Sequence, residues 1–280
     1  MKLKIQKVLL AFTVIFLVFA SNGFAQKSIE LKYNLNVGDS YSFVSNTEQD
    51  ITFDAMGTTT TLEQVMVFDM STIVNKIEGD DISEVYVFDR IKMDQKIFGM
   101  EMKYDSDDSS TFEGMGAQIA EQMNKIIGAQ IEVVKDNRGN VLDIDLSKFN
   151  DNSDLANSLS SGNTHAVYPD RKIKVGESWE TDVNPLKGSE MKVHVVYTLI
   201  KVSRKHAELS VKGNVTANEI EGEEIVLNGN TAGTMKVDRK TGMLISSTID
   251  LDMSLELDQG GTKIPATIMG TTITTVSKVK

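Results

Sequence analysis

Histidines, cysteines and paired carboxylates are the residues that most often carry metal ligation, nucleophilic attack or acid–base catalysis. The chain has three histidines, no cysteine and 40 acidic residues. His165 lies in a polar stretch, His194 on the polar parity of an alternating run, and His206 in a turn-like sequence. All three read as surface histidines, and none has the spacing of a metal ligand set. No serine sits in G-x-S-x-G, and no glycine-rich phosphate loop precedes a helix. Asp105 and Asp107 give the D-x-D start of a calcium loop. Ser110 stands where that loop needs glycine, however, and Gly116 where it needs glutamate. An acidic, solvated loop leading into a helix start explains the cluster better. Asp143 and Asp145 alternate with Leu142, Ile144 and Leu146, the mark of a wet strand face. We therefore assign no catalytic residue and expect no metal and no cofactor. A carboxylate-dependent hydrolase stays as a lesser alternative, since it needs two acids facing each other in a cleft.

Methionine is the one residue type that hints at a ligand. The chain has 14, and Met93, Met100, Met102, Met115 and Met123 fall close together. Thioether side chains adapt to irregular apolar partners. The candidate apolar pocket is Phe98, Met100, Met102, Phe112, Met115, Ile119 and Met123, with Leu251 and Met253 opposite. Its expected occupant is a lipid or a lipidated protein. The competing reading is that methionine fills a sheet poor in aromatic residues.

The first 25 residues read as an address. Lys2, Lys4 and Lys7 precede the apolar run Val8–Ala20, and small residues Gly23 and Ala25 follow. This is the pattern of a secretory signal peptide. The run is shorter than the roughly 20 residues that span a bilayer, and no lipid-anchor cysteine follows it. The mature protein is expected to be soluble, in the periplasm or outside the cell. Without the three leader lysines, 26 basic residues face 40 acidic ones. Such a charge repels phosphate backbones, so nucleic acid is not an expected partner.

The elements that must position any site are mostly strands. In 243–257, Ile249, Leu251, Met253 and Leu255 share one parity, and Thr248, Asp250, Asp252 and Ser254 the other. Period two over this length predicts a strand with one wet face. Residues 191–199, 207–217 and 97–104 repeat the pattern, which favours antiparallel sheet. Turns are expected at 78–81, 203–206, 239–242 and 258–261. One segment departs from this: Phe112, Met115, Ile119, Met123 and Ile126 recur at helical spacing, predicting a helix over 111–127. Ser110 and Glu113 would form its capping box.

Two phrases occur twice. Val37-Gly-Asp-Ser-Tyr41 matches Val175-Gly-Glu-Ser-Trp179, and V-x4-G-x-[VL] occurs at 134–141 and 237–244. The same order in both places predicts a duplicated sheet-building unit. Gly38, Gly176, Gly139 and Gly242 would make turns, and Tyr41 and Trp179 would anchor strands. The expected organisation is a first β-rich half at 26–146, a polar linker at 147–170 and a second half at 171–280. A single continuous domain over 26–280 is the alternative.

The phrases YPDRKIKVGESWE and GTMKVDRKTGMLISSTI resemble an uncharacterised family of secreted proteins from Gram-negative bacteria, a domain of unknown function. The run of long strands with one apolar helix is similar in architecture to the incomplete barrel of lipoprotein carriers such as LolA. The expected fold is mainly β (α+β): a large curved antiparallel sheet or incomplete β-barrel with a helix against its concave face. The expected function is non-enzymatic binding or carriage of an apolar ligand in the cell envelope. The main alternative is a structural or protein-interaction module with a filled core, of unknown oligomeric state.

Overall fold

A computed structural model describes residues 28–55, 57–145, 165–183, 191–220, 223–259 and 262–279. The expected leader and most of the expected linker lie outside them. Twelve strands form one antiparallel sheet: β1 (Ser40–Ala55), β2 (Thr58–Glu78), β3 (Asp81–Ile97), β4 (Met100–Asp105), β5 (Gln130–Lys135), β6 (Val141–Asp145), β7 (Ser178–Val183), β8 (Lys192–Val202), β9 (His206–Ile220), β10 (Glu223–Asp238), β11 (Leu244–Gln259) and β12 (Thr262–Lys278). The order across the sheet is β6-β5-β3-β2-β1-β12-β11-β10-β9-β8-β7, with β4 beside the far end of β3. The sheet is not closed into a barrel. Each of the four expected turns falls between paired strands, with Gly260 and Gly261 of the last turn outside the described residues.

The strands of both halves share this one sheet, because β1 pairs with β12 along its length. The register places one residue parity on the inner face in every strand. Phe43, Met70, Ile91, Ile131, Leu199, Leu209, Met235 and Ile249 are all buried on it. At one end two short segments fill the hollow of the sheet. Residues 28–36 bring in Ile29, Leu31, Tyr33 and Leu35, and residues 165–173 bring in Ala166, Val167, Tyr168 and Ile173. They meet at a bridge between Ile29 and Ile173. Together they form a plug, and the main core lies between plug and sheet.

The helix is shorter than its periodicity predicts. Residues 109–112 and 114–116 are 3₁₀ turns, and α1 spans only Ala117–Met123. Gly114 takes a φ of +60°, which interrupts an α-helix. The expected capping box is absent: Asp108 accepts from the Ser110 amide instead, and Glu113 makes no side-chain cap. Phe112, Ile119 and Met123 still turn one face to the core.

Candidate functional site

The inner face changes character with distance from the plug. Close to it, Lys135 at the end of β5 shares the inward parity of Ile131 and Val133. Glu84 on β3 shares that of Ile82 and Tyr86. Lys135 Nζ lies 2.5 Å from Glu84 Oε2, with the two side chains 1% and 0% exposed. The ammonium also sits 4.0 Å from the centroid of the Tyr33 ring. Tyr86 donates to Glu84 at 3.2 Å. Burial, with the neighbouring Glu84, pushes the Tyr86 phenol well up. Tyr33 donates to the Ala166 carbonyl at 3.0 Å, and so ties the two plug segments together. The sequence signal for this pair is a lysine and a glutamate at apolar parity.

The duplicated phrases bracket the same plug. Gly38 and Gly176 take φ of 88° and 91°. The Gly38 amide donates to Val74 of β2, whose amide donates to the Asp39 carbonyl. Gly176, Leu199 of β8 and Glu177 repeat this exchange. Tyr41 and Trp179 are buried just beyond. Trp179 stacks on Tyr197 with ring centroids 5.4 Å apart and donates to the Val167 carbonyl at 2.7 Å. The two V-x4-G turns reach the plug from opposite halves: Tyr33 donates to Asn137 and Asn34 to Thr241. A Cβ on Gly242 would lie 2.3 Å from the Lys32 carbonyl oxygen, and one on Gly139 2.5 Å from the Ala166 carbonyl oxygen. Both turns therefore need glycine for contact as well as for φ.

His165 does not behave as a surface histidine. It is half-buried in the second plug segment. Burial, with the charge of Lys135 nearby, pushes its imidazole pKa down to about 3. His194 is exposed and bonds Asp182, and His206 opens β9.

Farther from the plug, beyond a band of hydroxyl and amide side chains, the inner face is apolar again but less covered. Ile51, Leu62, Ile268, Leu251 and Met253 point inward by register, yet each is only half-buried. Phe53 and Leu255 continue the surface toward the open end. A small second cluster of Val215, Ala217 and Leu227, with Met253 and Leu255 against it, forms one flank. The result is an apolar trough above a sealed core.

The candidate ligand residues divide between these regions. Leu251 and Met253 lie in the trough. Phe112, Ile119 and Met123 pack against the main core beside β4. Phe112 stacks on the buried Tyr104, ring centroids 5.6 Å apart. Met102 is half-buried next to Gln95. Phe98 and Met100 stand at the β3–β4 turn, 64% and 48% exposed, with Phe98 at a φ of 53°. The Met115 side chain lies outside the described set.

The acidic loop at 105–108 lies near the surface, unlike Glu84. Asp105 is gripped by Arg90 at 2.9 and 2.5 Å, and Asp108 caps the 3₁₀ turn. The Arg90 guanidinium holds Asp105 below the usual carboxylate range. Among the described residues no cluster has the geometry to hold a metal ion. A groove of about 610 Å³ crosses the outer face of β1, β12, β11 and β10, lined by Glu48, Asp50, Asp250 and Asp252 among others. All four acids are exposed, whereas an acid–base pair draws on a carboxyl group withdrawn from water. No described helix is long and apolar enough to cross a membrane.

Comparison with solved structures finds lipovitellin, in a structure concerned with lipid–protein interactions. The identity is 7% and the TM-score 0.51, over 87% of this chain and 25% of that one. The chain thus spans about a quarter of the lipovitellin chain. An outer membrane channel from Pseudomonas putida F1 matches at 8% identity and a TM-score of 0.25, over 88% of this chain and 97% of that one. The translocator domain of the autotransporter NalP from Neisseria meningitidis matches at 7% and 0.24, over 86% and 90%. No curated protein matches the chain. Residues 146–244 match the model of a family of unknown function, DUF6263.

Proposed function

We propose that this is an exported, non-enzymatic protein that holds the apolar chain of a lipid in the trough above its plugged core. One observation carries the reading: Ile51, Leu62, Ile268, Leu251 and Met253 face inward on a curved sheet and remain half-buried. Burying such surface under an acyl chain yields about 25 cal/mol per Å². The likeness of fold to lipovitellin, a protein studied for its lipid–protein interactions, agrees with a lipid ligand. The leader-like first 25 residues support export. The two matching glycine-marked exchanges with β2 and β8 support an origin by duplication.

Native mass spectrometry of protein purified without its leader tests the function. The expected result is a co-purifying lipid mass that organic extraction removes. Protein that carries no lipid, and takes none up from a fluorescent fatty acid, contradicts it.

A further inference from the structure

A band of amides crosses the trough where it meets the core. Gln49 of β1 pairs with Gln64 of β2, and Gln64 pairs with Gln95 of β3. All three have inward parity. Gln49 Nε2 donates to Gln64 Oε1 at 2.7 Å, and Gln64 is only 8% exposed. A primary amide has two donor hydrogens and a carbonyl acceptor. The one mutual bond leaves the Gln49 carbonyl and the Gln64 amino group with further capacity. On the other side of Gln49 the row continues into Gly270. A Cβ there would lie 2.7 Å from the Gln49 Cβ, so the row has close packing on this flank. Just below, the inner face carries hydroxyl pairs, Thr47 with Thr272 at 2.9 Å and Ser45 with Thr274 at 3.1 Å.

Among the described side chains, charge is missing from this part of the face. From the glutamine row outward, every described inner side chain is uncharged. Glu63, Lys96, Glu101 and Lys103 occupy the opposite parity and are exposed. A carboxylate or phosphate drawn into the trough would lose water and meet no cation, which costs several kcal/mol. An ester or amide loses less and finds donors and an acceptor in the glutamines.

Building on the trough reading above, we infer that the ligand is an uncharged acyl ester or acyl amide. Its polar linkage hydrogen-bonds the Gln49–Gln64 pair, and its chain lies along Ile51, Leu251 and Met253.

The test compares three probes on the protein without its leader: diphenylhexatriene as a pure hydrocarbon, 1-oleoylglycerol as an uncharged ester, and oleate at pH 8. The inference predicts that oleoylglycerol binds about tenfold tighter than oleate. The double variant Gln49→Leu/Gln64→Leu should erase most of that preference and still bind diphenylhexatriene. Equal affinity for ester and carboxylate in the unaltered protein overturns the inference, and that comparison stands even if the variant fails to fold. So does a preference unchanged in a folded variant. Failure of the unaltered protein to bind diphenylhexatriene instead overturns the trough reading on which the inference rests.

Discussion

Lys135 and Glu84 form an ion pair that no water reaches, 2.5 Å apart and roofed by the ring of Tyr33. The roof belongs to the plug, so the pair is sealed only when residues 28–36 are in place. Removing one partner strands the other charge in the interior. Glu84→Leu or Lys135→Met should each destabilise the protein by roughly 3–5 kcal/mol. The double variant Glu84→Leu/Lys135→Met should recover most of the loss. Urea unfolding followed by the fluorescence of Trp179 measures all three. Single variants as stable as the unaltered protein would show that the pair is hydrated in solution.

The glycines of the repeated phrases should differ in how badly they tolerate alanine. Gly38 has a left-handed φ but open space around it, so Gly38→Ala should cost about 1–2 kcal/mol. Gly242 has a similar φ and also touches the Lys32 backbone. Gly242→Ala must shift the plug and should lower the melting temperature clearly further. Equal losses on thermal melting would argue against the tight seat of residue 32.

Stability should carry a histidine signature on the acid side. The folded pKa of His165 is about 3, below the unfolded value of about 6.5. Between these values the unfolded chain takes up a proton that the folded chain refuses. Stability is therefore full above pH 6.5 and is lost as pH falls through that value toward 3. His165→Gln should flatten the decline between pH 7 and pH 5 in urea titrations. An unchanged slope would place the imidazole in water.

Much of the sheet was legible from parity. The alternation of Ile249, Leu251, Met253 and Leu255 gives the inward set of β11 directly, and the turn residues give the hairpins. Helix length was not legible in the same way. Spacing from Phe112 to Ile126 continues through Gly114 and Gly116, but the chain there follows the backbone of Thr111 and Lys103 more closely than any Cβ allows. Apolar periodicity reports which face is buried, and tertiary contact decides how much of it is helical. The plug was hidden for another reason. Ile29, Leu31, Tyr33 and Leu35 alternate like a strand, yet their partners are turns at Asn137 and Thr241, more than a hundred and more than two hundred residues away. The candidate ligand residues were chosen by type and proximity in sequence. Phe98 and Met100 belong to the same alternation as Met102, but Phe98 lies in the β3–β4 turn and Met100 in the terminal pair with Ile97, where inward parity no longer means burial.

Titration of diphenylhexatriene fluorescence with residues 26–280 tests the trough most directly, using Met253→Asp on the inner face and Val44→Asp on the outer face. The prediction is saturable enhancement with the unaltered protein, a loss of about tenfold or more in affinity for Met253→Asp, and no change for Val44→Asp. Absence of saturable binding, or equal effects of the two substitutions, would contradict an apolar ligand held on the inner face.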